Sequence, residues 1–497
     1  MNANRKKILA LLLAAIMLAS ATACGETENE TTNTTDTTDV TPTGETEEAE
    51  TEDPRLAISD DLPDTKFGGK DFTIVCSDWN SHLMYVEEMT GDVVDDAIYN
   101  RNFNVSERFD VNLIYDSLAD YMTVSSTLKN SVISGDDNYQ IAAYHIIQMG
   151  ADMQNGTFLN LNDVPHINFD KPWWNNTTVN DLTYKGVTFF GVGYLDLSSV
   201  STAYAIFYNK DMADKYALED IYPIVEEGKW TKDKMKEMAS VIYTDVNGDG
   251  TKDIEDMYGM GFDLMGGCDQ FLWFFGKQIC TRQDDGSIAD TYYDEKLVDF
   301  MNWMYDYSYN TQSVYTEAAW NITSPLFGNG RALMVIGGIG YGLGLRDSDI
   351  DYAILPPPKW DEKQEDYISV AEGNSNGIAV IQTVQDLEMV GTVTEALTAE
   401  GWKYMLPAYY DTALKFKGTR DQQSVEILDM IVANTIYDFG YIFCGDSSAT
   451  NPGFWTHKVL KNASPDITSH YESNRKAYEN NLNKVFDAFE NYTSTNS

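Results

Sequence analysis

The sequence predicts an α/β protein built from more than one lobe, and two observations carry that expectation. Between residues 71 and 144 the apolar pattern switches repeatedly between strand and helix periods, in the order strand, helix, strand, helix, strand. Behind an acidic N-terminal stretch stand about 440 residues, more than one small core needs, and 43% of the chain is hydrophobic, as in globular proteins.

The elements follow from local pattern. Residues 71–76 (DFTIVC) form a short apolar strand, and residues 95–109 place Ala97, Ile98, Phe103, Val105 and Phe109 at helical spacing. Residues 111–115 (VNLIY) return to strand, 122–134 are helical, and 139–144 (YQIAAY) are strand again. Such alternation predicts an open parallel or mixed sheet flanked by helices, with a ligand crevice at the carboxyl ends of the strands. The first strand is followed by Ser77, Asp78, Trp79 and Asn80, which contain no glycine pattern for cradling phosphate, so a nucleotide cofactor is not indicated.

The N-terminus predicts export. Arg5, Lys6 and Lys7 precede an unbroken apolar run over residues 8–18, too short to span a bilayer comfortably, and small residues lead to Cys24. The run Ala19, Ser20, Ala21, Thr22, Ala23, Cys24 resembles a bacterial lipobox, with Ala21 where leucine is usual. Residues 1–23 are therefore expected to be a signal peptide, and Cys24 the lipidated first residue of the mature chain. Residues 25–54 carry eleven acidic side chains and no basic one. They cannot bury enough apolar surface to fold, and an extended tether over residues 24–64 is expected.

The formal net charge of −44 argues against nucleic acid or an anionic lipid surface as partner, since phosphate recognition needs clustered Lys and Arg. Aromatics make up 12% of the chain, with 31 Tyr and 10 Trp. Sugar rings present apolar CH faces to aromatic rings, so this excess suits a carbohydrate binder as well as it suits core filling. Cys76, Cys268, Cys280 and Cys444 make no CxxC pair or His cluster of zinc type, and whether Cys268 pairs with Cys280 is left open.

The most specific local motif starts at Asp245. Asp245, Asn247, Asp249, Asp253 and Asp256 place oxygen side chains at positions 1, 3, 5, 9 and 12 of a twelve-residue loop (245–256). Gly250 stands at position 6 for the sharp turn, and the carbonyl of Thr251 at position 7 completes a calcium-type donor set. Asp256 replaces the usual bidentate Glu and Lys252 an apolar residue, which predicts a solitary structural Ca2+ loop rather than a switching pair.

These stretches carry a family resemblance. Residues 95–109, KPWW at 171–174, AIFYNKD at 205–211, KWTKDKMKEMA at 229–239, the loop at 245–259, LFGNGRALM at 326–334, YAILPPPK at 352–359 and PAYYDTAL at 407–414 come in the family's order over nearly the whole mature chain. The chain resembles the extracellular solute-binding proteins of bacterial carbohydrate ABC importers, the superfamily of maltodextrin-binding protein. That resemblance implies a two-lobed periplasmic-binding-protein fold (type II-like), each lobe a mixed sheet flanked by helices, with ligand held in the cleft between lobes that close over it. It implies an N-terminal lobe of residues 65–202 and 376–415 and a C-terminal lobe of residues 203–375 and 416–497. The crossings are expected near residues 201–207 and 371–380. It also implies a monomer, lipid-anchored on the extracellular face of the cell membrane, that delivers a sugar or oligosaccharide to the importer's transmembrane subunits without turning it over.

Matching to the family pattern proposes Trp79, Asn80, Tyr144, His145 and Trp174 as ligand contacts from the first lobe, with Trp173 beside the last. From the second lobe it proposes Trp273, Phe274, Tyr341 and Trp455, with Gly337, Gly338 and Gly340 allowing close backbone approach. Two other functions stay open on sequence. A secreted glycoside hydrolase would also be acidic and aromatic and would need two carboxylates across a cleft; a surface carbohydrate-binding adhesin would differ only in what stands beside it.

Overall fold

The computed structural model describes residues 53–319, 322–345, 348–414 and 422–496. The expected signal peptide, Cys24 and the expected tether up to residue 52 lie outside them. The last part of the expected tether is not free chain. Asp60 pairs with Arg108, Lys171 Nζ lies 2.5 Å from Asp61, and Arg55 stands over the Trp402 ring, so residues 55–61 are fastened to the first lobe.

The first lobe is built on β1 (Lys70–Ser77), β2 (Val111–Leu118) and β3 (Ile141–His145), as the local pattern requires. β1 lies between β2 and β3, parallel to both, and is buried from Phe72 onward. Helices Val93–Phe109 and Tyr121–Ser134 connect them. The Asp92 carboxylate accepts from Val94 N at 2.9 Å and the Asp120 carboxylate from Thr123 N at 2.7 Å, satisfying amides that a helix start leaves free. Gly135, at φ 70°, ends the second helix in the left-handed conformation that glycine adopts without strain. Ile98, Val105 and Phe109 face the core as expected, whereas Phe103 is 52% exposed.

The chain leaves this lobe before β4 (Tyr204–Asn209), the first strand of a six-stranded sheet. β5 (Tyr243–Thr244), β6 (Met257–Asp263), β7 (Val314–Glu317), β8 (Ala332–Gly338) and β9 (Tyr352–Leu355) complete that sheet. The order is β9-β4-β8-β6-β5, with β7 also on β6. The return strand β10 (Asn376–Val380) pairs antiparallel with β3, giving the first sheet the order β10-β3-β1-β2.

The two segments expected to cross between the lobes lie side by side. Ala203 bridges Ala371 antiparallel, and Glu372 N donates to Thr202 O at 3.3 Å. The strand end of β8 crowds the same place. A Cβ on Gly338 would sit 2.6 Å from Ser201 O, and one on Gly340 would sit 2.1 Å from Ser201 Oγ. These two glycines therefore admit the crossing segment, not a ligand as the sequence suggested.

The C-terminal helix Ile467–Asn496 touches both lobes. Near its start Tyr471 stacks on Tyr293 of the second lobe at 4.3 Å. Further along, Phe489 packs on Phe189 at 5.0 Å, Glu490 lies 2.6 Å from Lys185 Nζ, and Tyr492 accepts from Asn160 N at 3.0 Å, all in the first lobe. The assignment of residues 416–497 to the second lobe alone is thus too simple.

Among the described residues the four cysteines are free and buried. Cys268 is enclosed in the helix Gly267–Phe274, and Cys280 lies against Gly440, so the pairing left open by the sequence is not formed.

Candidate functional site

The carboxyl ends of β1, β2 and β3 converge on the lobe junction, and the side chains just beyond them form an aromatic ledge. Trp79, 53% exposed, meets the Tyr121 ring edge-on at 5.4 Å. Tyr121 in turn stacks on His145, with centroids 4.4 Å apart and planes 19° apart. The Tyr121 hydroxyl donates to Asp446 Oδ2 at 2.7 Å, across 325 positions of sequence. Burial holds His145 down to about 4 despite the Asp446 charge, so the ring is neutral, and its Nδ1 accepts from Gln148 N at 3.3 Å. Asn80 Nδ2 donates to Asn374 O at 2.5 Å, which ties the ledge to the second crossing.

On the other side of the junction stand Asp263, at the end of β6, and Glu372, in the second crossing. Asp263 Oδ1 accepts from the backbone N–H groups of Met265, Gly266 and Gly267 at 2.9, 2.8 and 3.0 Å. Glu372 Oε1 accepts from Asn374 Nδ2 at 3.0 Å. Burial, with the Asp263 charge second, pushes the Glu372 carboxyl up to about 7. Burial, with the Glu372 charge second, pushes the hydroxyls of Tyr204 and Tyr441 up. The ensemble offers one exposed indole face, neutral amides and imidazole, and carboxylate oxygens: hydrogen-bonding groups beside an apolar shelf, with no nucleophile paired to a base.

Of the residues proposed from sequence, Trp79, Asn80 and His145 come together here. The others do not. Tyr144 is buried, its hydroxyl 2.5 Å from Asp152. Trp174 and Trp173 are buried, their indoles bound to Glu395. Trp273 donates to Asp438 Oδ2 at 2.9 Å and packs on Tyr441, and Phe274 lies beside it in the same buried helix. Trp455 is enclosed by Tyr292, Tyr471 and Tyr478. Tyr341 packs edge-on against Phe207 at 4.9 Å. Trp174, Trp273, Phe274 and Trp455 are at most 1% exposed, so water does not reach their rings and neither would a sugar; they are core. Sequence reasoning missed Tyr121, Asp446, Glu372, Asp263 and Tyr204. Tyr121 alone had a local signal, as the start of the helix after β2.

The loop at 245–256 is closed by its own side chains. Asp245 accepts from Gly248 N at 2.7 Å and Gly250 N at 2.9 Å, and Asp249 accepts from Thr251 N at 2.7 Å. Gly248 and Gly250 adopt φ 73° and 74°, which the turns require. Asn247 Nδ2 stands 3.4 Å from both Asp249 Oδ2 and Asp253 Oδ2, so positions 3, 5 and 9 lie together with an amide donor facing the two carboxylates. Asp256 does not join them. It is buried, accepts from Val246 N at 3.1 Å and faces the hydroxyls of Tyr243 and Tyr258. Among the described residues no three acidic, His or Cys side chains gather as a metal-ligand set.

A surface cavity of about 710 Å³ lies elsewhere, on the second lobe between Lys296, Asp299, Trp360 and Asp361. It has charges of both signs and none of the strand-end residues. No helix among the described residues is long and apolar enough to cross a membrane.

Comparison with known proteins gives the same architecture. No curated protein matches the chain in sequence. Among solved structures, a solute-binding protein of an ABC transporter from Agrobacterium radiobacter K84, in complex with ribitol, superposes with a TM-score of 0.53 at 15% identity, over 84% of this chain and 100% of that one. A cyclo/maltodextrin-binding protein complexed with maltotetraose gives 0.52 at 14% identity, over 87% and 100%. The maltose-maltodextrin binding protein of Alicyclobacillus acidocaldarius gives 0.51 at 10% identity, over 84% and 100%. At these identities the likeness is one of fold. The family model for bacterial extracellular solute-binding proteins matches residues 101–395, more than half of the chain and the whole stretch from the first lobe through both crossings. This chain belongs to the bacterial extracellular solute-binding proteins.

Proposed function

We propose that the solute is a saccharide, held between the lobes on the Trp79 and Tyr121 ledge and passed to the transmembrane subunits of an ABC importer. The observation that carries this is Trp79 itself. It is a large indole left half in water at the end of a central strand, where burying it would stabilise the fold, and it is flanked by amides and carboxylates suited to sugar hydroxyls. The ribitol and maltotetraose bound by proteins of the same fold support a polyhydroxyl ligand. Lipid attachment at Cys24 would hold the protein on the outer face of the membrane, with the acidic residues after it as spacer. Calcium, where bound, would be held by Asp245, Asn247, Asp249 and Asp253 with the Thr251 carbonyl, and Asp256 would remain a structural acceptor.

A thermal-shift panel of mono- and oligosaccharides tests the proposal, since a ligand specific for the native state raises the midpoint by mass action. No shift with any saccharide would overturn it. The neighbouring carboxyls of Glu372 and Asp263, one with a raised pKa, are the feature a hydrolase would share. Steady product release from an oligosaccharide would therefore establish the hydrolase instead.

A further inference from the structure

We infer that His457 is a specificity residue of the second lobe, its Nε2 accepting a hydrogen bond from a saccharide hydroxyl opposite the Trp79 ledge, and that Asp269 is the positioning residue that keeps this nitrogen bare. The inference rests on the saccharide function proposed above and deepens it by naming a second wall of the site.

The placement follows from the sheet of the second lobe. β6 ends at Asp263, and the helix Gly267–Phe274 starts four residues later with Asp269 in its first turn. The helix Trp455–Leu460 lies against that turn, and its His457 is fixed to Asp269 twice: the backbone N–H donates to Oδ1 at 2.8 Å, and ring Nδ1 stands 2.5 Å from Oδ2. The pair is thus held just beyond the carboxyl end of an inner strand, as Trp79 is in the first lobe. A chain of contacts leads from it to the lobe boundary. The His457 ring meets half-buried Phe454 at 6.3 Å, and Phe454 meets Tyr441 edge-on at 5.7 Å. The Tyr441 hydroxyl lies 3.3 Å from where a Cβ on Gly373 would sit, in the second crossing, and that same position is 2.3 Å from Cδ1 of Ile147, two residues past His145 of the ledge.

The partners of each ring set its polarity. Asp269 and His457 are 2% and 6% exposed, and the carboxylate that accepts the His457 backbone amide accepts the Nδ1 proton as well. In the neutral imidazole the lone pair is then on Nε2, which is an acceptor. No protein group among the described residues binds Nε2, and it is not one of the enclosed unpaired atoms, so it is the edge of the ring that water and a ligand reach. His145 is locked the other way. Its Nδ1 accepts from Gln148 N, which puts the ring proton on Nε2 and makes that nitrogen a donor. The two lobes therefore bring one acceptor and one donor imidazole to the junction, and sugar hydroxyls, which both give and take hydrogen bonds, suit the pair.

The experiment labels the purified protein with 15N-histidine and reads the ring nitrogens by long-range proton–nitrogen correlation at about pH 8, above the ordinary histidine range. His457→Asn assigns the signal. His457 should show a protonated Nδ1 and a bare Nε2, and His145 the reverse; a proton on Nε2 of His457 would overturn the inference. Ribitol, glucose, maltotetraose, cellotetraose and xylotetraose are then tested by calorimetry, and each one that binds is added to the labelled protein. Binding should shift the His457 Nε2 resonance without protonating it, as an accepted hydrogen bond does. His457→Asn keeps an N–H for Asp269 and removes the Nε2 edge, so affinity should fall about five- to tenfold, the scale of one hydrogen bond. Asp269→Asn should reverse the pair, its amide donating to Nδ1 and moving the proton to Nε2, with a similar loss. A bound saccharide that leaves Nε2 unmoved, or unchanged affinity in folded His457→Asn, would overturn this inference and leave the saccharide function standing. Failure of every saccharide here and in the thermal-shift panel would overturn that function, and the inference with it.

Discussion

Glu395→Gln should flatten the pH dependence of stability. Glu395 is fully buried in the helix Leu387–Glu400, and its oxygens accept indole N–H groups from Trp173 at 2.7 Å and Trp174 at 2.8 Å. Burial dominates and pushes this carboxyl up to about 7 from 4.5, although both indoles and the Asn168 amide pull it down. Between those two pH values the folded protein keeps a proton that the unfolded chain has released. The group's contribution to stability is therefore complete below pH 4.5 and lost as pH rises through 7. At ~1.4 kcal/mol per pH unit, the loss across that window is about 3 kcal/mol. Glutamine does not titrate, but its NH2 cannot accept the indole N–H that one carboxyl oxygen takes, so the variant carries a loss that is the same at every pH. Urea unfolding followed by tryptophan fluorescence should thus show the difference between the two proteins moving by about 3 kcal/mol in favour of the variant from about pH 4 to about pH 8. Parallel stability curves across that range would refute the argument, because Glu395 would then titrate alike in both states.

Trp79→Ala should weaken saccharide binding by about 1 to 3 kcal/mol without lowering the melting temperature. Trp273→Ala should instead cost about 3 to 5 kcal/mol of stability in the unliganded protein, as a buried indole does; calorimetry and denaturant unfolding on both variants separate ledge from core, and a stability loss in Trp79→Ala would count against the ledge. Chelation of divalent ions should lower the melting temperature if the Asp245 loop holds calcium, since gathered carboxylates repel without a cation; an unchanged midpoint would show that the turn hydrogen bonds suffice. Cys24→Ala should release the protein from cells into the medium, and retention in the membrane fraction would exclude lipidation at that thiol.

The strands and helices of the first lobe were legible because their signals are local. Period, caps and the left-handed glycine at 135 lie within a few residues of what they control, so β1, β2 and β3 appear within a few residues of where the pattern puts them. The site was legible only so far as it follows from topology. Trp79, Asn80 and His145 were placed by the rule that open sheets bind at their carboxyl ends, and the structure gathers them at the ends of β1 and β3. Aromatic identity did not help. Trp273 sits in FLWFF, a run apolar on every side, and a helix hydrophobic all round is a buried one, so its own neighbours carried the warning.

What the sequence withheld is the set of contacts made at long range. Tyr121 and Asp446 meet across 325 positions, and nothing in either neighbourhood marks the other as its partner. Gly338 and Gly340 show the same limit from the opposite direction. Glycines after a strand signal that something approaches closely, but only the fold reveals that the visitor is Ser201 of the crossing chain rather than a ligand. Asp256 adds a third case, since its spacing matches a twelfth loop position while its carboxylate turns to Tyr243 and Tyr258. In each case the residue type was chosen by a neighbour distant in sequence or outside the motif. The carboxylates at the junction follow the same logic, for with 78 acidic residues in the chain no pattern could single out Glu372 or Asp263.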